Sequence, residues 1–385
     1  MRKIPAHLSR RPVLKLGEHL SRLTRSAAEA QKPALVVQGG GMRGVYSMAA
    51  LAVLEDAGLR DAFSVVVGSS AGAINGAYFL AGQANEGLRI YVDELSHSSF
   101  INPRRLWRVV DVDFLVDEVL KRRRPLDVAA LDAVAAPLIT VLTDAQTAEA
   151  VTVSNRDGHD LLEVLRATAA LPALYNKRIA LGGGLTGRHF IDGGIVAPVP
   201  VDQALALGVP EALVVMTRSF DFKQDDLSTP MRMLGRMLAR GQARFVKDNI
   251  SRPSETYAAL LARLKAENAL ERRTTWTVAP STIVTARTTL DAAVLEATAE
   301  LGRQDMLAML EQEYRPWPEP ESRPDRRLEP GSRRESGSRP ESMPEPMPEP
   351  MPEPEAAEQT SARSAADPGQ ASRGETSLSS SELTE

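Results

Sequence analysis

Three short stretches carry residue types and spacings that can do chemistry: Gly39-Gly40-Gly41-Met42-Arg43-Gly44, Gly68-Ser69-Ser70-Ala71-Gly72 and Asp192-Gly193-Gly194. The second reads G-x-S-x-G, in which a serine sits on a tight strand-to-helix bend that holds its Oγ out at the end of a sheet. Small neighbours let such a bend close, and Gly68, Ala71 and Gly72 are small. A serine there also lies at a helix N-terminus, whose positive dipole end favours developing negative charge. Attack on a carbonyl creates an oxyanion that needs preorganised donors. The backbone N–H groups of Gly39, Gly40 and Gly41 are candidates for that oxyanion hole. Arg43 then adds fixed positive charge or anchors the loop, or else it is a first-turn surface residue.

The first stretch also satisfies G-x-G-x-x-G, the phosphate cradle of dinucleotide folds. Such folds need an acidic ribose ligand at the end of the second strand, about 20 residues on. Here the second expected strand, Phe63–Val67, runs straight into Gly68, and Glu55, Asp56 and Asp61 fall in or just after the intervening helix. A P-loop Lys-Ser/Thr is absent as well. Nucleotide or phosphate binding by Gly39–Gly44 stays as the alternative reading, as does a non-catalytic lipid-binding role.

A serine nucleophile needs a base. His97, His159 and His189 follow Ser70, the first at a polar helix end and the second in an exposed turn. His189 shares a strand with Asp192 but points to the opposite face, because side chains alternate with period two. Asp192 itself closes an apolar strand ahead of two glycines, Gly193 and Gly194. It reads either as a turn-capping aspartate or as a base whose proton affinity is raised by partial burial. In a Ser–Asp dyad it takes the serine proton directly and returns it to the leaving group.

The elements that must position these groups alternate. Ala34–Gln38, Phe63–Val67, Pro137–Leu142 and Ala212–Thr217 are near-continuous apolar runs, as in strands covered on both faces. Arg43–Ala57, Ala71–Ala81, Leu161–Ala170 and Val201–Leu207 carry helical patterns. The alternation predicts an α/β fold with a mainly parallel sheet, which binds ligands beyond the carboxyl ends of its strands. Residues 1–32 read as a basic N-terminal arm, helical around Leu16–Leu23, and 33–315 as the folded domain. From Pro316 the composition turns to Pro, Glu, Ser and Arg, which predicts a disordered tail over 316–385.

Net charge is −4 over 385 residues, so nucleic acid is disfavoured as a partner. The chain has no cysteine, which excludes thiolate chemistry and disulfides and fits a reducing compartment. The five histidines are scattered, against a histidine-rich metal centre. No apolar run approaches the roughly 20 residues of a membrane-spanning helix. The N-terminus lacks the apolar core of a secretory signal, so the expected location is cytoplasmic.

In this order, GGGMRG, GSSAG and DGG resemble the patatin-like phospholipase family. The similarity continues through Leu161–Tyr175 and FIDGGIVAPVPVDQALALG, covers roughly Ala34–Thr217 and leaves both ends of the chain outside. It implies a three-layer α/β/α sandwich and hydrolysis of acyl esters of phospholipids or lysophospholipids with no metal cofactor. It further implies Ser70 as nucleophile, Asp192 as base and later acid, and Gly39, Gly40 and Gly41 as oxyanion hole, with Arg43 at the basic position of that motif. Gln38 departs from the pattern, in which an acidic residue often precedes the glycines.

A bilayer substrate must be met at its surface. Between Met231 and Asn249, Arg232, Arg236, Arg240 and Arg244 recur every four residues opposite Met231, Leu234, Leu238 and Phe245, as in an interfacial helix on anionic lipid. Lys121-Arg122-Arg123-Arg124 is a second basic cluster. Peripheral membrane contact through one or both is the expectation.

Overall fold

The computed structural model describes residues 14–26, 32–105, 108–172, 174–221, 255–282 and 285–315. Two strands and two helices set the frame of the site. β2 (Ala34–Val37) leads through the glycine loop and a 3-10 turn, Gly41–Arg43, into α2 (Gly44–Asp56). β3 (Val65–Ser69) leads through Ser70 into α3 (Ala71–Leu80). Further along lie α4 (Ala84–Arg89), α5 (Val128–Ala133), β4 (Leu138–Asp144), β5 (Ala150–Ser154) and α6 (Leu161–Thr168). They are followed by β6 (Ile179–Ala180), β7 (His189–Asp192), α7 (Val201–Leu205), β8 (Ala212–Val215), α8 (Glu255–Asn268), β9 (Thr275–Val278) and α9 (Ala292–Leu310).

The main sheet runs β6-β7-β4-β3-β2-β8-β9, with β5 also on β4. The five strands β4-β3-β2-β8-β9 are parallel, while β5, β6 and β7 form an antiparallel edge. Successive residues of the central strands feed two different cores. Leu35, Val37 and Val66 pack on the side of α2 and α3. Ala34, Val36, Val65 and Val67 pack on the other side, against Val201 and Ala204 of α7 and Tyr257, Leu261 and Leu264 of α8. This two-faced burial is why the strands carry unbroken apolar runs, and it makes the domain the three-layer α/β/α sandwich expected from sequence.

Helix α2 is buried from Gly44 to Leu54 on every side, which explains its lack of a polar face. α9 covers its outer surface: Tyr46 Oη donates to Asp305 Oδ2 at 2.7 Å across the pair. The described part of the N-terminal arm belongs to the same core. β1 (Leu14–Lys15) pairs antiparallel with β10 (Glu313–Tyr314), and Leu16, Leu20 and Leu23 of α1 (Leu16–Leu23) are buried. The second strand is Val65–Ser69, two residues later at both ends than the expected Phe63–Val67, and a 3-10 turn, Arg60–Ala62, precedes it. The arginine stripe at 231–249 and residues 316–385 lie outside the described residues.

Candidate active site

Register brings the three stretches together. Val37 pairs with Gly68, Ser69 with Val141, and Leu142 with Asp192. Ser70 and Asp192 therefore flank a single strand, β4, two strand spacings of about 4.8 Å apart, which a serine and an aspartate side chain can bridge. The bridge is made: Ser70 Oγ donates to Asp192 Oδ2 at 2.9 Å.

Ser70 adopts φ 54°, ψ −134°, a conformation that L-residues other than glycine rarely occupy. Such strain costs on the order of 1–3 kcal/mol and persists where the surroundings over-determine it. They do so here through small residues. A Cβ at Gly68 would stand 2.6 Å from Ala73 N, and one at Gly72 would stand 2.2 Å from the Val37 carbonyl. Ser70 N–H donates to Thr168 Oγ1 at 2.8 Å, and Thr168 Oγ1 donates in turn to the Val141 carbonyl at 2.7 Å. The neighbouring Ser69 Oγ donates to the Ala197 carbonyl at 3.0 Å.

Asp192 is 5% exposed. Its Oδ1 accepts from Gly194 N–H at 2.7 Å and caps the 3-10 turn Gly193–Ile195, while its own N–H donates to the Ala170 carbonyl at 3.0 Å. Gly193 backs onto β4 so closely that a Cβ would stand 1.9 Å from the Val141 carbonyl. Burial pushes the Asp192 carboxyl up to about 6; the Gly194 N–H, the Ser70 hydroxyl and the positive charge of Arg287 oppose that rise. Turn cap and base candidate are thus one residue: one oxygen holds the turn and the other faces the serine.

The glycine loop lies against the serine. A Cβ on Gly39 would meet the Ser69 carbonyl at 2.6 Å and Ser70 Cβ at 2.8 Å. Thr217 Oγ1 donates to the Gly39 carbonyl at 2.7 Å, and buried Gln38 spans the loop base, accepting from Thr217 N–H at 2.7 Å and donating to Tyr257 Oη at 3.0 Å. Met42 N–H is spent on the Arg287 carbonyl, at 3.0 Å. The N–H groups of Gly39, Gly40 and Gly41 make no hydrogen bond among the described residues, and all three glycines line the cavity that holds Ser70 and Asp192. Arg43 is 8% exposed, so it is no surface residue. Burial, then the charges of Arg218 and Arg287, pull its guanidinium down to about 9.

The cavity has a volume of about 120 Å³ and is partly open to solvent. Away from the loop its walls are apolar: Met48, Ile74, Leu95, Phe100, Val112 and Leu115 among others. Such a lining suits an aliphatic chain, with a few polar groups converging at one end. None of the described histidines reaches this wall; His97 and His189 are exposed. Sequence reasoning missed Thr168, Arg218 and Arg287. Thr168 lay within the Leu161–Tyr175 stretch but with no chemistry to single it out, and the two arginines carry no local motif.

The basic cluster 121–124 is ion-paired throughout. Lys121 meets Asp117 at 3.0 Å, Arg122 meets Glu118 at 2.9 Å, Arg123 meets Glu94 at 3.2 Å, and Arg124 is shared by Glu86, Asp93 and Glu94. Among the described residues no helix is long and apolar enough to cross a membrane.

Residues 35–205 match the sequence profile of the Patatin-like phospholipase family. A curated relative, the uncharacterized protein YjjU of Escherichia coli strain K12, is 29% identical over 189 residues, 48% of this chain and 51% of that protein. The chain thus spans about half the length of the curated relative it matches. Among solved structures, VipD from Legionella pneumophila aligns at 12% identity and a TM-score of 0.40, over 73% of this chain and 67% of that one. Human GIVD cytosolic phospholipase A2 bound to methyl gamma-linolenyl fluorophosphonate and terbium chloride aligns at 12% identity and a TM-score of 0.38, over 77% and 62%.

Proposed function

We propose that this chain, whose residues 35–205 match the patatin-like phospholipase family, is a serine acyl hydrolase that cleaves fatty-acyl esters of phospholipids or lysophospholipids through a Ser70–Asp192 dyad. The observation that carries the proposal is the 2.9 Å hydrogen bond from a strained serine to a buried carboxylate, beside three backbone N–H groups that make no hydrogen bond among the described residues.

The ester carbonyl carbon meets Ser70 Oγ while the acyl chain lies along the apolar wall. As the C–O bond forms, the serine proton passes to Asp192 Oδ2, whose proton affinity burial has raised. The carbonyl oxygen takes up the negative charge and is received by N–H groups of Gly39, Gly40 and Gly41. Each such donor is typically worth ~10²–10³ in kcat. Collapse breaks the ester bond, Asp192 returns its proton to the departing alkoxide, and the acyl group stays on Ser70. Water then repeats the cycle with Asp192 as base, releasing the fatty acid and restoring the serine. Because the second Asp192 oxygen is held by Gly194 N–H, the carboxylate keeps its aim in both half-reactions. Membrane contact through residues 231–249 belongs to this proposal; the charges at 121–124 are each ion-paired within the domain.

A fluorophosphonate probe on the full chain tests the reading. One covalent adduct should form on Ser70, and Ser70→Ala should lose both the adduct and ester hydrolysis while keeping its melting temperature. Labelling that survives in Ser70→Ala would overturn it.

A further inference from the structure

Three different parts of the chain hold the polar groups of Ser70. Its Oγ donates to Asp192 Oδ2 at 2.9 Å, and its carbonyl accepts Ala73 N–H at 3.0 Å in the first turn of α3. Its N–H donates to Thr168 Oγ1 at 2.8 Å. That third bond is explained neither by the bend nor by the acyl transfer. Small neighbours permit φ 54° at Ser70 without selecting it, because they remove clashes and add no bond. Thr168 is fully buried and gives its own proton to the Val141 carbonyl at 2.7 Å, so its oxygen faces the serine as an acceptor. A peptide unit is planar, so fixing the Ser70 N–H also fixes the Ser69 carbonyl, the atom that a Cβ on Gly39 would meet first, at 2.6 Å.

Two residues past Thr168, the Ala170 carbonyl accepts Asp192 N–H at 3.0 Å. The carboxyl end of α6 thus receives the main-chain N–H of both the serine and the aspartate. The helix itself is anchored. Asp160 caps its start by accepting from Leu162 N–H and Glu163 N–H. Near its end, buried Arg166 meets Asp113 at 2.8 Å, Asp117 at 2.7 Å and Glu163 at 3.1 Å. A polar network with its partners in place is rigid, which makes the helix end a fixed point. Thr168 does not line the cavity, whereas its successors Ala169 and Leu171 do. Any effect of its hydroxyl on catalysis must therefore pass through Ser70 and not through contact with substrate.

We propose that Thr168 is a positioning residue: its hydroxyl, set on the anchored end of α6, holds the Ser70 main chain so that Oγ stays within reach of both Asp192 and an ester carbonyl. This role rests on the acyl-hydrolase reading for its reaction. α6 then acts as a brace across the dyad, with Thr168 on the serine and Ala170 on the aspartate. The position calls for a hydroxyl, because valine, of nearly the same shape, offers no acceptor and leaves a buried N–H unpaired.

The test compares Thr168→Val, which loses the acceptor, with Thr168→Ser, which keeps the oxygen, both in the full chain. On a p-nitrophenyl acyl ester, kcat of Thr168→Val should fall ~10²-fold, the scale of a misplaced reacting group. KM should stay within about twofold, since no substrate contact is removed, and the rate of fluorophosphonate labelling should fall with kcat. Thr168→Ser should recover most of the lost kcat. In parallel, hydrogen exchange of the residue 70 amide is read by nuclear magnetic resonance. Thr168→Val should speed it about tenfold or more while the amides of β2 and β4 keep their protection. Should Thr168→Val not fold, Thr168→Ala carries the same comparison, because it removes the acceptor without setting a methyl against the N–H. Wild-type kcat and labelling in the variant that lacks the acceptor overturn the proposal, and so does a lowered melting temperature with kcat unchanged. A loss of kcat that Thr168→Ser shares in full overturns it too, by tracing the effect to the missing methyl. If wild type neither hydrolyses the ester nor takes the probe, the hydrolase reading fails. Unchanged exchange at residue 70 would then overturn the brace as well, and faster exchange would uphold it.

Discussion

The parallel centre of the sheet and its antiparallel edge each bring one group to the cavity, and they hold it by opposite means. Ser70, on the parallel side, is held by missing atoms: Gly39, Gly68 and Gly72 let backbones approach to distances that any side chain would forbid, and the strained bend follows. Asp192, at the antiparallel edge, is held by bonds made: Gly194 N–H on one oxygen, Ser70 on the other, and the Ala170 carbonyl on its own N–H. One region stores steric strain, and the other stores the cost of a buried charge. Substitutions should therefore fail differently at the two places, the serine side through shape and the aspartate side through charge.

The largest separation is expected from Asp192→Asn. The amide oxygen still caps Gly194, so the fold is kept, but no proton can be taken from Ser70, and kcat should fall ~10²–10⁴-fold. Stability should move the other way. A carboxyl raised to about 6 in the folded protein, against ~3.9 unfolded, binds its proton more tightly when folded. Its contribution is fully present below the unfolded value and is lost as pH rises through about 6. Asparagine loses nothing over that range, so the variant should gain up to ~2–3 kcal/mol over wild type between pH 4 and pH 8. Melting curves at the two pH values check this. A variant that is less stable than wild type at pH 8 would show that Asp192 is held by its bonds rather than strained by its charge.

Next in size is Gly39→Ala. The added methyl meets the Ser69 carbonyl at 2.6 Å and Ser70 Cβ at 2.8 Å, backbone and near-backbone atoms that cannot swing aside. The loop must retreat from the serine, and if it supplies the proposed oxyanion donors, kcat should drop ~10²-fold or more. Gly184→Ala, where nothing stands within 4 Å of the added methyl, is the control and should be silent. Full activity in Gly39→Ala would separate the loop from the chemistry.

The steric half of this design was legible in the sequence, and the electrostatic half was not. Glycines beside a serine between an apolar run and a helix pattern form a local signal, and Gly39–Gly41, Ser70 and their strands lie where that signal puts them. Asp192 was legible as a residue but ambiguous in role, because a D-G-G turn caps itself in any protein; its partner comes from a strand 122 positions away in sequence. Arg218 and Arg287 were invisible for the same reason: nothing local distinguishes an arginine that lines a cavity from one in solvent. α9 escaped because it packs on α2 rather than on the sheet, so its own pattern is only weakly two-faced. The described arm was read from its charges, whereas Leu16, Leu20 and Leu23 decide its place by burial.

The smallest effect is also the most diagnostic of the charged half. If burial sets the Asp192 carboxyl near 6, kcat/KM for an uncharged ester should show an acid limb with its midpoint there, falling about tenfold per pH unit below it, since that parameter titrates the free enzyme. The sign follows from the proposed role, in which only the ionised carboxylate accepts the serine proton. Arg287 contributes positive charge that favours the ionised form, so Arg287→Gln should shift the limb upward, and the variant's deficit should be larger at pH 6 than at pH 8. A limb near 4 would mean that water reaches Asp192 in the free enzyme, leaving its bonds to Gly194 and Ser70 as its main constraint. A limb near 6 that ignores Arg287 would keep the burial and remove the arginine from the field of the base.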